Sequence, residues 1–227
     1  MMLKPPLQGI LFDFDGLILD TETTIFQAWQ EMFRKYKKEL LLDEWAEILG
    51  KAGLVEGPAE RFLKSIEDEQ DQQAILEEVT RRELELLELK EPLPGAVELI
   101  KKAKAHDLKL GIVSSSDQKW VHGHLKRLGL WDYFDHTSCG DEVEITKPDP
   151  TLYNLGIQKM EVAPERVVVL EDSPNGVLAA KRAGLFCIAV PNGLTRQLQF
   201  FSNGGTPDLV MDSIQKFPWD DFMKEVL

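Results

Sequence analysis

The sequence predicts an α/β fold: a parallel sheet with helices on both faces, interrupted by an inserted helical segment. Three observations carry this reading. Short apolar runs bounded by turn residues recur at 9–14, 108–114, 133–138, 167–170, 185–190 and 208–211, each with the length and β-branched or aromatic content of a buried strand. Helical periods separate most of them, at 96–106, 118–128, 151–159 and 174–183, and strand alternating with helix implies a parallel sheet. Residues 21–90 break that rhythm with helical character and no convincing strand. The expected organisation is therefore a core of residues 1–20 and 91–227 with an inserted helical domain of residues 21–90.

The first strand opens on the apolar run Gly9-Ile10-Leu11-Phe12, which leads into Asp13-Phe14-Asp15-Gly16. Two carboxylates two residues apart at the end of a buried strand are costly unless something cationic or reactive uses them. In the insertion, Phe26, Trp29, Met32, Phe33 and Tyr36 recur at helical spacings within 23–36, as do Ile75, Leu76, Val79, Leu84, Leu86 and Leu87 within 74–89. Such stripes hold helices together by mutual packing. The acidic run 67–71 reads as a solvated turn between these helices. The sheet rhythm resumes after Pro92-Leu93-Pro94-Gly95.

Three later strand ends carry polar groups, and in an open parallel sheet ligands bind beyond the carboxyl ends of strands. Ile112-Val113 runs into Ser114-Ser115-Ser116 before a helix, which offers hydroxyls and helix N-terminal amides to an anion. Thr146-Lys147-Pro148-Asp149-Pro150 places a cation in a loop whose backbone two prolines restrict. The run 167–170 delivers Glu171-Asp172-Ser173-Pro174-Asn175-Gly176, a second acidic pair at a helix start. Each site alone has a plainer explanation as a cap, a turn or a surface lysine. Their order, each after a strand, favours a shared site.

Composition narrows the partners. A formal net charge of −13 argues against a nucleic-acid backbone or an anionic membrane as the main partner. Cys139 and Cys187 are far apart without a Cys-x-x-Cys spacing, which fits two reduced thiols in a cytosolic compartment. Neither the first residues nor any later run has the apolar length of a signal peptide or a membrane span. A cytoplasmic protein is expected, monomeric or homodimeric, with no heptad run to mark a coiled coil.

The chemistry these groups can share is phosphoryl transfer. Mg²⁺ is bound by one or two carboxylates with waters and substrate phosphate. Asp13 and Asp172 would supply ligands, helped by Glu171 and the carbonyl of Asp15. With charge neutralised, Asp13 can attack phosphorus, while Asp15 protonates the leaving alkoxide and then deprotonates the water that opens the aspartyl-phosphate. Lys147 and the Ser114 hydroxyl would hold the transferring oxygens, with Ser115 beside them.

In these residues the sequence resembles the haloacid dehalogenase superfamily of aspartate-nucleophile phosphotransferases. The resemblance rests on Asp-x-Asp-Gly at 13–16, the strand-end Ser114, Lys147 in Lys-Pro-Asp-Pro, and Glu171-Asp172-Ser173 with Gly176. It covers essentially the whole chain and is similar to the branch containing β-phosphoglucomutase and small sugar-phosphate or phosphoglycolate phosphatases. It implies a Rossmann-like core, Mg²⁺, a nucleophilic Asp13, an acid/base Asp15, and an insertion at 21–90 that acts as a helical cap over the site.

Within that resemblance, an acid at position 15 points to phosphate esters rather than to dehalogenation or phosphonate cleavage. β-Phosphoglucomutases carry a cap histidine where this chain has Ile25, and a cap-loop arginine where the stretch 49–54 offers only Lys51. Loss of a second clamp favours hydrolysis over transfer between sugar hydroxyls. The expected activity is a phosphatase for a small phosphorylated metabolite; a sugar phosphomutase and a phospholigand-binding protein with little turnover are the alternatives. Thr21 and Glu22 stand where the chain enters the insertion, as a hinge or gate, with Thr21 assigned to substrate binding. Lys51, Arg61, Lys64, Arg81 and Arg82 are insertion cations that more often face water. His122 and His124 receive no catalytic role.

Overall fold

The computed structural model describes residues 6–46, 57–198 and 205–223. It divides the chain into two compact units, Met1–Leu19 with Pro92–Leu227, and Asp20–Glu91.

The first unit is built on six parallel strands, β1 (Gly9–Phe12), β2 (Lys109–Val113), β3 (His136–Ser138), β4 (Val167–Glu171), β5 (Phe186–Ala189) and β6 (Leu209–Val210). Their order is β3-β2-β1-β4-β5-β6. The chain thus adds strands to one side of β1, then crosses to β4 and adds to the other. The reversal falls between β1 and β4, where the carboxyl ends open a crevice. Strands buried on both faces read as continuous apolar runs, and β1 and β4 are wholly buried.

Within those runs the two-residue pleat still assigns faces. Leu11, Val113, Val167 and Val169 join one cluster with Leu152, Tyr153 and Met160 of α7 (Thr151–Met160) and Val177, Ala179 and Ala180 of α8 (Pro174–Arg182). Glu171 follows Val167 and Val169 onto that face. The remaining core helices are α5 (Ala96–Ala105), α6 (Gln118–Arg127) and α9 (Trp219–Met223). Asp117 caps α6 by accepting from the Trp120 amide at 2.7 Å.

Several bounds differ from the sequence reading. The first strand ends at Phe12 because Asp13–Gly16 turns: Gly16 has φ 82°, and the Ile18 amide donates back to Phe14 O. The strand expected from 133 starts at His136, since Trp131–Tyr133 winds into a 3₁₀ turn. β6 is two residues long.

The second unit contains α1 (Glu22–Lys35), α2 (Leu42–Ala46), α3 (Pro58–Lys64) and α4 (Glu69–Glu88). Phe33 stacks on Phe62 with centroids 4.6 Å apart, Phe26 lies against Trp45, and Arg82 joins α4 to Glu31 of α1 at 2.6 Å. The acidic run is corrected here. Only its beginning is a turn: the Asp68 carboxylate caps α4 by accepting from the amides of Gln70 and Asp71, and residues 69–71 form the first turn of that helix. Acidic side chains at a helix N-terminus satisfy its free amides and meet a favourable dipole. Lys90 and Asp20 pair at 3.1 Å across the two ends of the unit. Lys51 and the stretch 49–54 lie outside the described residues. Among the described residues no helix is long and apolar enough to cross a membrane. Cys139 and Cys187 are both buried and free, and burial pushes the Cys139 thiol up to about 11.

Candidate active site

The carboxyl ends of β1, β2, β4 and β5 bring the site together. Asp13 leaves β1 with its amide still bonded to Leu170 O at 3.0 Å, so the turn begins from a fixed main chain. Its carboxylate, with those of Glu171 and Asp172, forms a buried trio whose oxygens lie within 4.8 Å of one another. The Lys147 ammonium enters this trio, 2.5 Å from Asp13 Oδ1 and 2.6 Å from Glu171 Oε1, and donates at 2.7 Å to Val113 O at the end of β2. Three carboxylates and one ammonium leave a formal −2.

Neighbours fix each member. Tyr153 donates its hydroxyl to Glu171 Oε1 at 2.5 Å, and its ring lies 5.2 Å from the Lys147 nitrogen. A Cβ on Gly176 would meet the Glu171 carboxyl at 2.0 Å, so only glycine leaves that carboxylate its place. Gly16 does the same for Asp172: it combines a positive φ with a would-be Cβ 2.3 Å from Asp172 Oδ2. Asn192, just after β5, donates its amide to Asp172 Oδ2 at 2.7 Å and to Gly16 O at 3.1 Å.

Burial pushes the Asp13 carboxyl well above the usual range, opposed by Lys147 and reinforced by the charges of Glu171 and Asp15. Burial also disfavours the Lys147 ammonium, but the two carboxylates around it outweigh that and raise it. Lys147 therefore stays protonated. Burying so many carboxylates against one ammonium is unfavourable until a further cation joins them, and an all-oxygen donor set of this kind suits a hard divalent ion.

Asp15 occupies different surroundings. Its Oδ2 accepts from Ser114 Oγ at 3.0 Å and Ser116 Oγ at 2.7 Å, and its Oδ1 from the Trp120 indole Nε1 at 2.9 Å. Its carboxylate stands outside the acidic trio, so a contribution from Asp15 to a metal rests with its carbonyl.

Of the residues expected from sequence, Asp13, Lys147, Glu171 and Asp172 converge, and Asp15 and Ser114 meet beside them. The Ser114 hydroxyl is committed to Asp15 and to the Ser116 amide at 3.0 Å, where sequence reasoning reserved it for a ligand. Ser115 is exposed. Thr21 lies in the second unit at the start of α1, where its carbonyl accepts from Thr24 Oγ1 at 2.5 Å. Lys64, Arg81 and Arg82 sit in ion pairs with Glu60, Glu85 and Glu31 of that unit. Ser116, offered with its run to an anion, instead bonds Asp15, and Trp120, Tyr153 and Asn192 were missed. Extending the strand-end rule to β5 identifies Asn192; the others act through contacts that no local pattern marks.

A family model for haloacid dehalogenase-like hydrolases matches residues 10–190. The chain belongs to the haloacid dehalogenase-like hydrolase family. It is 40% identical over 197 residues to YhcW of Bacillus subtilis, covering 86% of this chain and 88% of that protein. It is 35% identical over 190 residues to a phosphorylated carbohydrates phosphatase of Thermotoga maritima, covering 79% and 82%. The crystal structure of a CbbY variant from Rhodobacter sphaeroides in complex with xylulose-1,5-bisphosphate superposes with a TM-score of 0.74 at 30% identity, covering 93% of this chain and 96% of that one. Family membership and the Rossmann-like core thus stand as the sequence predicts.

Proposed function

We propose that this hydrolase is a Mg²⁺-dependent phosphomonoesterase for a small phosphorylated carbohydrate, working through an aspartyl-phosphate at Asp13. One observation carries the reading. Two aspartates two residues apart are held in opposite environments: Asp13 lies in a buried acidic trio with a lysine, Asp15 among hydroxyls and an indole. That separation is what a nucleophile and a proton carrier in one reaction require.

Asp13, Glu171 and Asp172, with the Asp15 carbonyl, would hold the cation. Bound there, Mg²⁺ supplies charge that lets an anionic nucleophile approach an anionic phosphate. Asp13 forms a bond to phosphorus as the bond from phosphorus to the sugar oxygen breaks, and Asp15 delivers a proton to that oxygen. Water then attacks the phosphoryl-Asp13, gives its proton to Asp15, and releases inorganic phosphate and the free carboxylate. Lys147 keeps Asp13 oriented and offsets charge on the phosphoryl oxygens. The carbohydrate class follows the names of the Thermotoga and Rhodobacter relatives, and Ile25 at the position of the mutase histidine favours water as the acceptor.

A panel of sugar phosphates assayed with Mg²⁺ tests this. Asp13→Asn is expected to remain folded and lose turnover by at least ~10³-fold, as loss of a nucleophile does. Substantial residual hydrolysis in a pure sample, or full activity after exhaustive chelation, overturns the mechanism. Isomer formation from a hexose 1-phosphate primed with bisphosphate replaces hydrolysis with the mutase reading.

A further inference from the structure

The surroundings of Asp15 contain more order than an acid/base carboxylate needs. Both oxygens are occupied, but by donors of different kinds. The serine hydroxyls on Oδ2 can rotate and either donate or accept. The indole on Oδ1 can only donate. The oxygen that accepts the indole N–H is the less favourable one to protonate, because a proton weakens it as an acceptor and the N–H, unlike a hydroxyl, cannot turn to accept in return.

The indole is itself held in place. Trp120 lies in the first turn of α6, whose cap Asp117 accepts from the Trp120 amide. One turn on, His124 packs edge-on to the Trp120 ring, with centroids 4.5 Å apart, and stacks on Phe14, the residue between the two aspartates. Residues at i and i+4 share a helix face, so α6 presents Trp120 and His124 together to the Asp13–Asp15 turn. Phe14 is fully buried.

We infer that Trp120 is a positioning residue for Asp15: its indole reserves Oδ1 as an acceptor and assigns the transferred proton to Oδ2, on the Ser114 and Ser116 side. The inference rests on the acid/base role proposed for Asp15. In the charged form both hydroxyls donate to Oδ2; when Asp15 takes a proton there, one hydroxyl turns to accept it. The proton is thus held on one oxygen with a definite direction, and Asp15 releases it without first exchanging it between two equivalent sites. Without the N–H the carboxyl can carry its proton on either oxygen and rotate, so fewer encounters are productive.

Trp120→Phe keeps a ring against His124 and removes the N–H. The measurement is kcat/KM, with Mg²⁺, for phenyl phosphate and p-nitrophenyl phosphate, two aryl esters that differ by a para nitro group and so in how much protonation the leaving oxygen needs. This ratio reports steps up to release of the phenol. Trp120→Phe is expected to lower it on the order of 10-fold for phenyl phosphate, a part of a general acid's contribution, and less than about 2-fold for p-nitrophenyl phosphate. Trp120→His, which retains a ring N–H, is expected to lie between wild type and Trp120→Phe for phenyl phosphate. Equal losses on both substrates mark a merely structural tryptophan and overturn the inference, as does no loss on either. Asp15→Asn, run alongside, separates the two levels: if it leaves phenyl phosphate turnover intact, the acid/base reading of Asp15 fails; if it impairs turnover while Trp120→Phe does not, only the inference about Trp120 fails.

Discussion

Lys147→Met tests whether the ammonium is the partner that makes the acidic trio tolerable. The lysine side chain is 6% exposed, and its two carboxylate partners are 8% and 0% exposed. Methionine keeps most of the stem and removes the charge, leaving Asp13 and Glu171 buried and mutually repelled. At an effective dielectric of 20, two like charges about 4 Å apart repel by ~4 kcal/mol. Removing one partner of a buried pair costs about 3–5 kcal/mol on the same scale. For a chain of this size each kcal/mol is ~2–4 °C in Tm, so the metal-free variant is expected to melt ~6–20 °C below wild type. The variant trio carries a formal −3 in place of −2, so Mg²⁺ should raise its Tm more than it raises that of wild type; at 100 times Kd the ion contributes ~2.7 kcal/mol. Calorimetric melts in chelator and in excess Mg²⁺ read both effects. An unchanged metal-free Tm would refute the pairing argument, and a smaller Mg²⁺ shift in the variant would refute the trio as the cation site.

Two further outcomes follow from buried groups. Tyr153→Phe removes a hydroxyl that donates to the buried Glu171 carboxylate; a hydrogen bond to a charged group contributes about 1.5–3 kcal/mol, so metal-free Tm is expected to fall by ~3–12 °C in the same melts. Burial, with Arg127 nearby, lowers His124 below its usual 6.5. Its neutral form is the native one, and the associated stability is present above 6.5 and lost as pH falls through the lowered value. His124→Phe should therefore flatten the decline of Tm between pH 7 and pH 5 relative to wild type, and an unchanged slope would contradict the shift.

The strands were legible because a sheet covered on both faces demands continuous apolar runs, and 9–12, 109–113 and 167–171 supply them. Charged side chains at the ends of such runs stand out, which is why Asp13, Glu171 and Asp172 could be named in advance; Lys147, in the loop between β3 and α7, was marked instead by the prolines around it. The turn at Gly16, the 3₁₀ winding at Trp131–Tyr133 and the cap at Asp68 were less legible, because each depends on a hydrogen bond that competes with a longer element. Trp120 and Tyr153 read simply as apolar positions on helices. Their polar atoms matter only because α6 and α7 bring them to strand ends far away in sequence, a fact of tertiary packing that periodicity does not encode.

The position of β1 explains how one short motif reaches two environments. β1 is hydrogen-bonded to β2 on one side and β4 on the other. A residue leaving its end can lean toward either neighbour. Asp13 meets Lys147 and Glu171, the latter at the end of β4, while Asp15 meets Ser114 and Ser116, just past the end of β2. Had β1 been an edge strand, both carboxylates would share one set of neighbours, and mutual repulsion would raise one at the expense of the other. The turn between them needs a buried anchor, Phe14, and a residue free to take a positive φ beside Asp172, Gly16. The four residues Asp13-Phe14-Asp15-Gly16 therefore encode a division between two sides of a central strand. Their surroundings follow from the order in which the sheet is assembled as much as from their chemistry.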